Sequence, residues 1–101
     1  MSQQLTVIAH LVARENKIDA TKEFLLGLIG PTQAEPGCVD YLLHQDDDNP
    51  TEFTFYENRT ERGEWDKHMD LPHLAEFAAR ADELFAVEPQ IRLMTMIGGR
   101  G

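Results

Sequence analysis

The chain has 101 residues, which is the size of one small domain. Apolar residues make up 42% of the composition, a fraction typical of a globular protein and too high for a disordered one. The formal net charge of −9 argues against nucleic acid and anionic membrane surfaces as partners. The single cysteine, Cys38, cannot form an internal disulfide, and no apolar run is long enough to cross a bilayer, so we expect a cytoplasmic protein.

The first apolar segment, Leu5 to Ala13, is rich in β-branched residues and predicts a strand. Its second face, which begins at Thr6, is only half polar because it also carries Ile8 and Val12. A strand that is apolar on both faces needs cover on both sides of its sheet.

A helical spacing of apolar residues follows the strand and predicts a helix over about 16–34. Asn16 is expected to cap the N-terminus of this helix. Pro31 is expected to kink it, because proline disfavours helical geometry in the residue before it.

Two further segments, 38–46 and 52–59, alternate in polarity and flank the polar turn 46–50, so they predict a β-hairpin. The two faces of the first of these strands are expected to carry Val39, Tyr41 and Leu43 on one side and Cys38, Leu42 and His44 on the other.

Helical periodicity returns at Thr60, which is expected to cap a short helix that ends at Met69. Pro72 suits the first turn of a second helix, which ends before Pro89. A final strand is predicted from Ile91 to Ile97.

The element order β-α-β-β-α-β predicts an α+β domain with the ferredoxin-like fold, over residues 1–101 with a flexible tail at 98–101. Under the right-handed crossover rule it forms a four-stranded antiparallel sheet with the helices on one face. The other face of the sheet remains apolar, and large exposed apolar patches are rare in monomers. We therefore expect a homodimer in which two sheets pack against each other.

Two of the four histidines, His68 and His73, flank the break between the C-terminal helical pieces. Helix ends that face a sheet favour a pocket, in which one imidazole can act as a general base and the other as an orienting group. The alternative is that one histidine lies at the surface and the other satisfies a loop carbonyl. Their spacing of five is not a metal-ligand pattern, and His44 and Glu57 can join them only through the fold, so no metal is expected.

Glu57 shares a strand face with Phe53 and Phe55 and is therefore expected to point into an apolar layer. It can orient a histidine or bind a substrate hydroxyl. Equally, it can pair with a nearby arginine or lie exposed at the strand end.

The aromatic side chains favour a core, and several of them can also line the gap between sheet and helices; they are Tyr41, Phe53, Phe55, Tyr56, Trp65 and Phe77. A flat apolar cavity of this kind suits a planar aromatic ligand.

Several motifs together resemble one known family. They are Glu35-Pro36-Gly37-Cys38 leading to Tyr41 and His44, then Pro50, Phe53 and Glu57, then Trp65-Asp66-Lys67-His68-Met69, and finally Pro72-His73-Leu74 with Phe77. This set resembles the antibiotic biosynthesis monooxygenase domain, especially its small quinol-monooxygenase-like bacterial members, from Thr6 to Leu93.

The resemblance implies a dimeric α/β barrel that oxygenates an electron-rich phenol or hydroquinone with O₂, without flavin, haem or metal. It implies His68 or His73 as the base and Glu57 as its orienting partner. The substrate-binding residues that it implies are Tyr41, His44, Phe55, Trp65 and Phe77.

The chain departs from the family pattern in two places. Arg59 stands where the family often has tryptophan, and the first strand lacks the asparagine of the haem-degrading relatives, which disfavours haem degradation. Two other functions stay open, since fold does not fix chemistry. One is an isomerase or tautomerase of a small carbonyl compound, and the other is a non-catalytic small-molecule-binding domain.

Overall fold

Residues 4–99, which the computed structural model describes, form four strands and four α-helices. The elements are β1 (Leu5–Val12), α1 (Ile18–Gly27), α2 (Ile29–Gln33), β2 (Cys38–Gln45), β3 (Glu52–Arg59), α3 (Arg62–Met69), α4 (Pro72–Leu84) and β4 (Gln90–Thr95), with a 3₁₀ turn at Glu15–Lys17. In this part of the chain no helix is long and apolar enough to span a membrane.

The strands form one antiparallel sheet in the order β2-β3-β1-β4. This order confirms the ferredoxin-like fold predicted from the element sequence. The core lies between one face of the sheet and the helices, and its buried members include Leu11, Phe53 and Phe55 from the sheet and Leu25 and Leu84 from the helices.

The first helical segment is broken at Leu28, three residues before the predicted kink at Pro31. A continuous helix would need the backbone N–H of residue 31 to donate to the carbonyl of Gly27, and proline has no N–H. The helix therefore restarts, and Pro31 falls in the first turn of α2, where its N–H is not required. The predicted cap at Asn16 was wrong, because that residue lies inside the 3₁₀ turn and α1 begins at Ile18.

A bulge at the start of β2 changes which side chains face the core. The pairing with β3 shifts between Cys38 and Asp40, and Val39, the residue between them, is 52% exposed. Cys38 instead packs against the core, so the predicted faces were wrong for these two residues. Tyr41 and Leu43 lie on the core side as predicted.

The helix after the hairpin begins at Arg62, so the predicted cap at Thr60 was wrong. The backbone N–H of Thr60 donates instead to the carbonyl of Gly37, which ties the end of β3 to the turn before β2. β4 covers Gln90–Thr95, ending two residues before the predicted Ile97. Of the predicted tail 98–101, residues 100 and 101 lie outside the described residues, and Gly98 and Gly99 belong to no helix or strand.

Candidate active site

A cavity of about 680 Å³ lies between the sheet and the pair α3 and α4. Its lining is mostly apolar, and six of the eight site residues that the sequence predicts are part of it. They are Tyr41, Phe55, Glu57, Trp65, His68 and Phe77.

Neighbouring rings form the wall of this cavity. Tyr41 and Phe55 come from paired strands, and their ring centroids lie 4.4 Å apart. Trp65 and His68 lie one turn apart on α3, with centroids 5.4 Å apart. Trp65 and His68 are both buried and both line the cavity. The polar imidazole of His68 is therefore surrounded by aromatic rings where it borders the cavity.

Beside this wall lies a buried cluster of charged side chains. The Arg59 guanidinium donates from Nη1 to Oε1 of Glu35 over 2.9 Å and from Nη2 to Oε1 of Glu57 over 3.3 Å. Nδ1 of His68 lies 2.8 Å from Oε2 of Glu35, and Nε2 of His73 lies 3.0 Å from the same oxygen. Since an ionised carboxylate only accepts hydrogen bonds, both imidazole nitrogens donate to Glu35.

The local backbone explains how these groups meet. Glu57 and Arg59 are two residues apart in β3, so strand alternation points both toward the helices. Glu35 comes just before the turn at Gly37, which has a φ of +82°, a conformation that glycine adopts without steric cost. The extended backbone at Leu71 separates α3 from α4 and brings His73 back toward the cluster.

The cluster shifts the ionisation of its members in different directions. Burial raises the pKa of Glu57 to about 7, and the charge of Glu35 adds to this, against the opposing effect of Arg59. Burial alone would raise the pKa of Glu35, but hydrogen bonds from His68 and Arg59 outweigh it and leave that pKa below its usual value. Burial also lowers the pKa of His68, which favours its neutral imidazole.

The structure separates two predicted site residues from the cavity wall. His73 contacts the cluster through Glu35 and is not part of the cavity lining. His44 is exposed and lies in register with Thr54, on the sheet face opposite Tyr41, so its predicted place in the substrate pocket was wrong. Strand alternation is the reason, because odd offsets along a strand reverse the face.

The orienting role that the resemblance gave to Glu57 was also misplaced. Glu57 pairs with Arg59, which is the alternative that sequence reasoning left open, and the carboxylate that hydrogen-bonds both histidines is Glu35. Sequence reasoning included Glu35 in a family motif but gave it no role, because proline and glycine already explain the backbone of this turn. Arg59 was recognised only as a departure from a family pattern, although its offset of two from Glu57 already put both on one face.

Comparison with known proteins identifies the family of this chain. A family profile described as "Antibiotic biosynthesis monooxygenase" matches residues 4–80. The chain belongs to the antibiotic biosynthesis monooxygenase family. The match contains every residue of the cavity wall and charged cluster described above, from Glu35 to Phe77.

Individual relatives extend the similarity. The Mycobacterium tuberculosis protein named "Putative monooxygenase Rv0793" is 32% identical over 84 residues, which are 83% of this chain and 82% of that protein. The Synechocystis "Uncharacterized protein sll1783" is 30% identical over 80 residues, which are 76% of this chain but only 54% of that protein, so this chain spans about half of its length. The crystal structure of PA3566 from Pseudomonas aeruginosa superposes with a TM-score of 0.90 at 28% identity, covering 97% of this chain and 98% of that one.

Proposed function

We propose that this family member is a cofactor-independent monooxygenase that oxidises a phenol- or quinol-like small aromatic with O₂. The observation that carries the proposal is the position of His68, a buried imidazole held by Glu35 at the wall of an apolar, aromatic-lined cavity. The resemblance supplies the reaction class, and the cavity supplies a place where a planar substrate can meet a base.

The base in this proposal is Nε2 of His68. Its Nδ1 donates to Glu35, so the neutral ring carries its lone pair on Nε2. Burial lowers the pKa of His68, which keeps the imidazole neutral near pH 7. A neutral imidazole that is held in one orientation can accept the phenolic proton of a bound substrate.

The proposed reaction needs only the substrate and O₂. His68 removes the phenolic proton, and the phenolate gives one electron to O₂, which leaves a substrate radical and superoxide. These two combine through a new C–O bond to a peroxide, which takes up a proton and loses water to give the quinone. One oxygen atom of O₂ enters the product and the other enters water, while the substrate supplies all the electrons.

The remaining cavity residues bind and enclose the substrate in this proposal. Tyr41, Phe55, Trp65 and Phe77 form an apolar wall that excludes water and favours an aromatic ring. Burial raises the pKa of Tyr41, so its hydroxyl stays a neutral hydrogen-bond donor toward a developing oxyanion. His73 and Arg59 act indirectly, because each hydrogen-bonds the carboxylate of Glu35, which in turn holds His68.

The lining also favours this function over an isomerase or tautomerase of a small polar carbonyl compound. A polar substrate favours a pocket lined mainly by charged side chains, whereas most of this lining is apolar. The lining therefore supports an aromatic substrate. A non-catalytic binding domain would use the same cavity but would not need a base.

An oxygen electrode with a panel of small hydroquinones tests the proposal on EDTA-treated protein. We expect enzyme-dependent uptake that His68→Ala abolishes and that Glu35→Gln lowers through kcat more than through KM, because the substrate still meets the same wall. His10→Gln is the matched control, since His10 lies on the opposite sheet face and bonds Glu52. Uptake that is absent across the panel, or that His68→Ala leaves unchanged, would refute the proposal.

We further propose that the protein is a homodimer that packs through the open sheet face. Leu42 and Met94 lie on that face and are 45% and 42% exposed, and the partly buried Tyr56 and Ile8 continue the row of Leu42 across β3 and β1. A sheet face of this kind favours burial against a second sheet. Sedimentation should give a dimer at micromolar concentration and a monomer for Leu42→Glu/Met94→Glu, and a monomeric wild type would contradict this proposal.

A cytoplasmic location is the last part of this proposal. It is supported by the single half-buried cysteine, Cys38, whose pKa is raised by burial and which is suited to a reducing compartment as an unreactive core thiol. Cell fractionation with an epitope-tagged chain should recover it with cytoplasmic markers, and recovery in a membrane or secreted fraction would contradict it.

A further inference from the structure

The carboxylate of Glu35 brings two imidazoles into a compact group of ligating atoms. One carboxylate oxygen of Glu35, Nδ1 or Nε2 of His68 and Nδ1 or Nε2 of His73 lie within 4.8 Å of one another. Oε2 of Glu35 faces both rings, at 2.8 Å from Nδ1 of His68 and 3.0 Å from Nε2 of His73. Donor atoms about 3 Å apart are also the spacing found around an ion whose bonds are about 2.1 Å long.

Three separate segments build this group, which explains why a sequence pattern does not predict it. His68 lies near the C-terminus of α3, His73 is the second residue of α4, and Glu35 follows α2. A spacing of five residues does not place two side chains on one face of a single helix. Here the extended backbone of Leu71 interrupts the helix and brings the two imidazoles together.

We propose that Glu35, His68 and His73 bind one divalent transition-metal ion of the Zn²⁺ class. Two imidazole nitrogens with one carboxylate oxygen form a mixed donor set that suits zinc, iron, nickel and copper better than magnesium or calcium, which prefer oxygen ligands. Three protein ligands leave at least one coordination position for water. The inference goes beyond the proposed monooxygenase and does not depend on it.

The charges around the group permit a cation. Glu35 and Glu57 share the single guanidinium of Arg59, so the positive charge beside the group already has carboxyl partners. Arg59 donates to Oε1 of Glu35, Nδ1 of His68 lies 2.9 Å from Oε1 and 2.8 Å from Oε2, and Nε2 of His73 meets Oε2. A hydrogen bond to the far oxygen of a ligating carboxylate is a common way of fixing its orientation. The nearby positive charge also weakens binding, so we expect a reversible site rather than a permanent structural one.

Metal and proton compete for the same lone pairs. Without metal, Nδ1 of His68 and Nε2 of His73 carry the protons that they donate to Glu35. A metal ion binds the lone pair that each of these nitrogens has once it is deprotonated. The proton of each ligating nitrogen therefore moves to the other nitrogen of its ring or leaves to solvent. Nε2 of His68 then becomes a donor instead of a base. The metal-loaded protein would be an inactive form of the proposed enzyme, which is why its oxygen assay uses EDTA-treated protein.

Titration calorimetry with Zn²⁺ on EDTA-treated, dialysed full-length protein tests the site. We expect one ion per chain, no heat with Mg²⁺, and at least about a tenfold loss of affinity in both Glu35→Gln and His73→Ala. His44→Ala is the control, because it removes an exposed histidine on the other sheet face and should keep the affinity. Circular dichroism identifies any variant that fails to fold, and Glu35→Gln retains the side-chain volume.

A second measurement keeps the proposal testable if a variant unfolds. On wild-type protein, ¹⁵N NMR of the imidazoles should show Nδ1 of His68 and Nε2 of His73 shifting on zinc addition. Absence of one-to-one binding at 100-fold excess zinc over protein, or zinc binding that Glu35→Gln leaves unchanged, would overturn the proposal. Because both readouts measure binding alone, they remain decisive whether or not the chain consumes oxygen.

Discussion

Glu57→Gln should make the protein more stable at alkaline pH, although it removes a buried ion pair. Glu57 is only 3% exposed, and its pKa rises to about 7 from an ordinary value of 4.5, with burial as the main cause. The folded state therefore holds the proton of this carboxyl more tightly than the unfolded state does. A difference of this size corresponds to about 3 kcal/mol of stability.

The sign of the stability difference between the wild type and Glu57→Gln follows from the raised pKa of Glu57. Below pH 4.5 the carboxyl of Glu57 is protonated in both states, and the wild type and the glutamine variant should have similar free energies of unfolding. Between pH 4.5 and 7 the wild type loses stability relative to the variant by about 1.4 kcal/mol per pH unit, because unfolding releases a proton. Above pH 7 the difference should stay constant at about 3 kcal/mol in favour of Glu57→Gln.

Urea denaturation of both proteins at half-unit steps from pH 4.5 to 8.5 measures this difference. Titrating groups far from the cluster contribute equally to both curves, so the difference isolates Glu57 together with the groups that it contacts. Glu23→Gln is the matched control, because it makes the same change at an exposed position on α1. Parallel curves for the wild type and Glu57→Gln, or a variant that is less stable at pH 8, would refute the electrostatic account of the cluster.

Three further changes should affect stability with defined signs. Gly37→Ala should cost about 1–2 kcal/mol, because Gly37 has a φ of +82° and a Cβ there would meet the side chain of Glu64. Gly27→Ala, at the exposed last residue of α1 with open space around it, should instead gain about 0.5–1 kcal/mol in the same urea assay, and equal effects would contradict this reasoning. Arg59→Met should cost about 3–5 kcal/mol at pH 8, because it leaves two buried carboxylates without their cation. The cost should be smaller at pH 5, where Glu57 takes up a proton, and a pH-independent loss would count against the cluster.

Short-range patterns in the sequence predicted most of the fold and part of the site. Alternation in β3 placed Glu57 on the same inward face as Phe55, and the structure confirms it. The same rule placed His44 opposite Tyr41, while the family resemblance placed His44 in the substrate pocket. Beyond the bulge at Val39, the structure follows strand alternation, which sets the direction of each side chain relative to its neighbours.

Long-range contacts account for what the sequence did not predict. Glu35 and His68 are 33 residues apart and meet only because the Gly37 turn and the break at Leu71 fold their segments against each other. The bulge that exposes Val39 is a property of how β2 pairs with β3. Neither feature leaves a periodic trace in the sequence.

By itself, the sequence determined the order of strands and helices, the ferredoxin-like topology and the aromatic side of the sheet, because each rests on the period of its apolar residues. It also placed His68 beside an interrupted helix. Tertiary structure decided which carboxylate holds that histidine. In the folded chain His68 and His73 both hydrogen-bond Glu35, and Arg59 pairs with Glu57 as well as with Glu35. Buried charges need partners, and only the folded chain defines which partners are within reach.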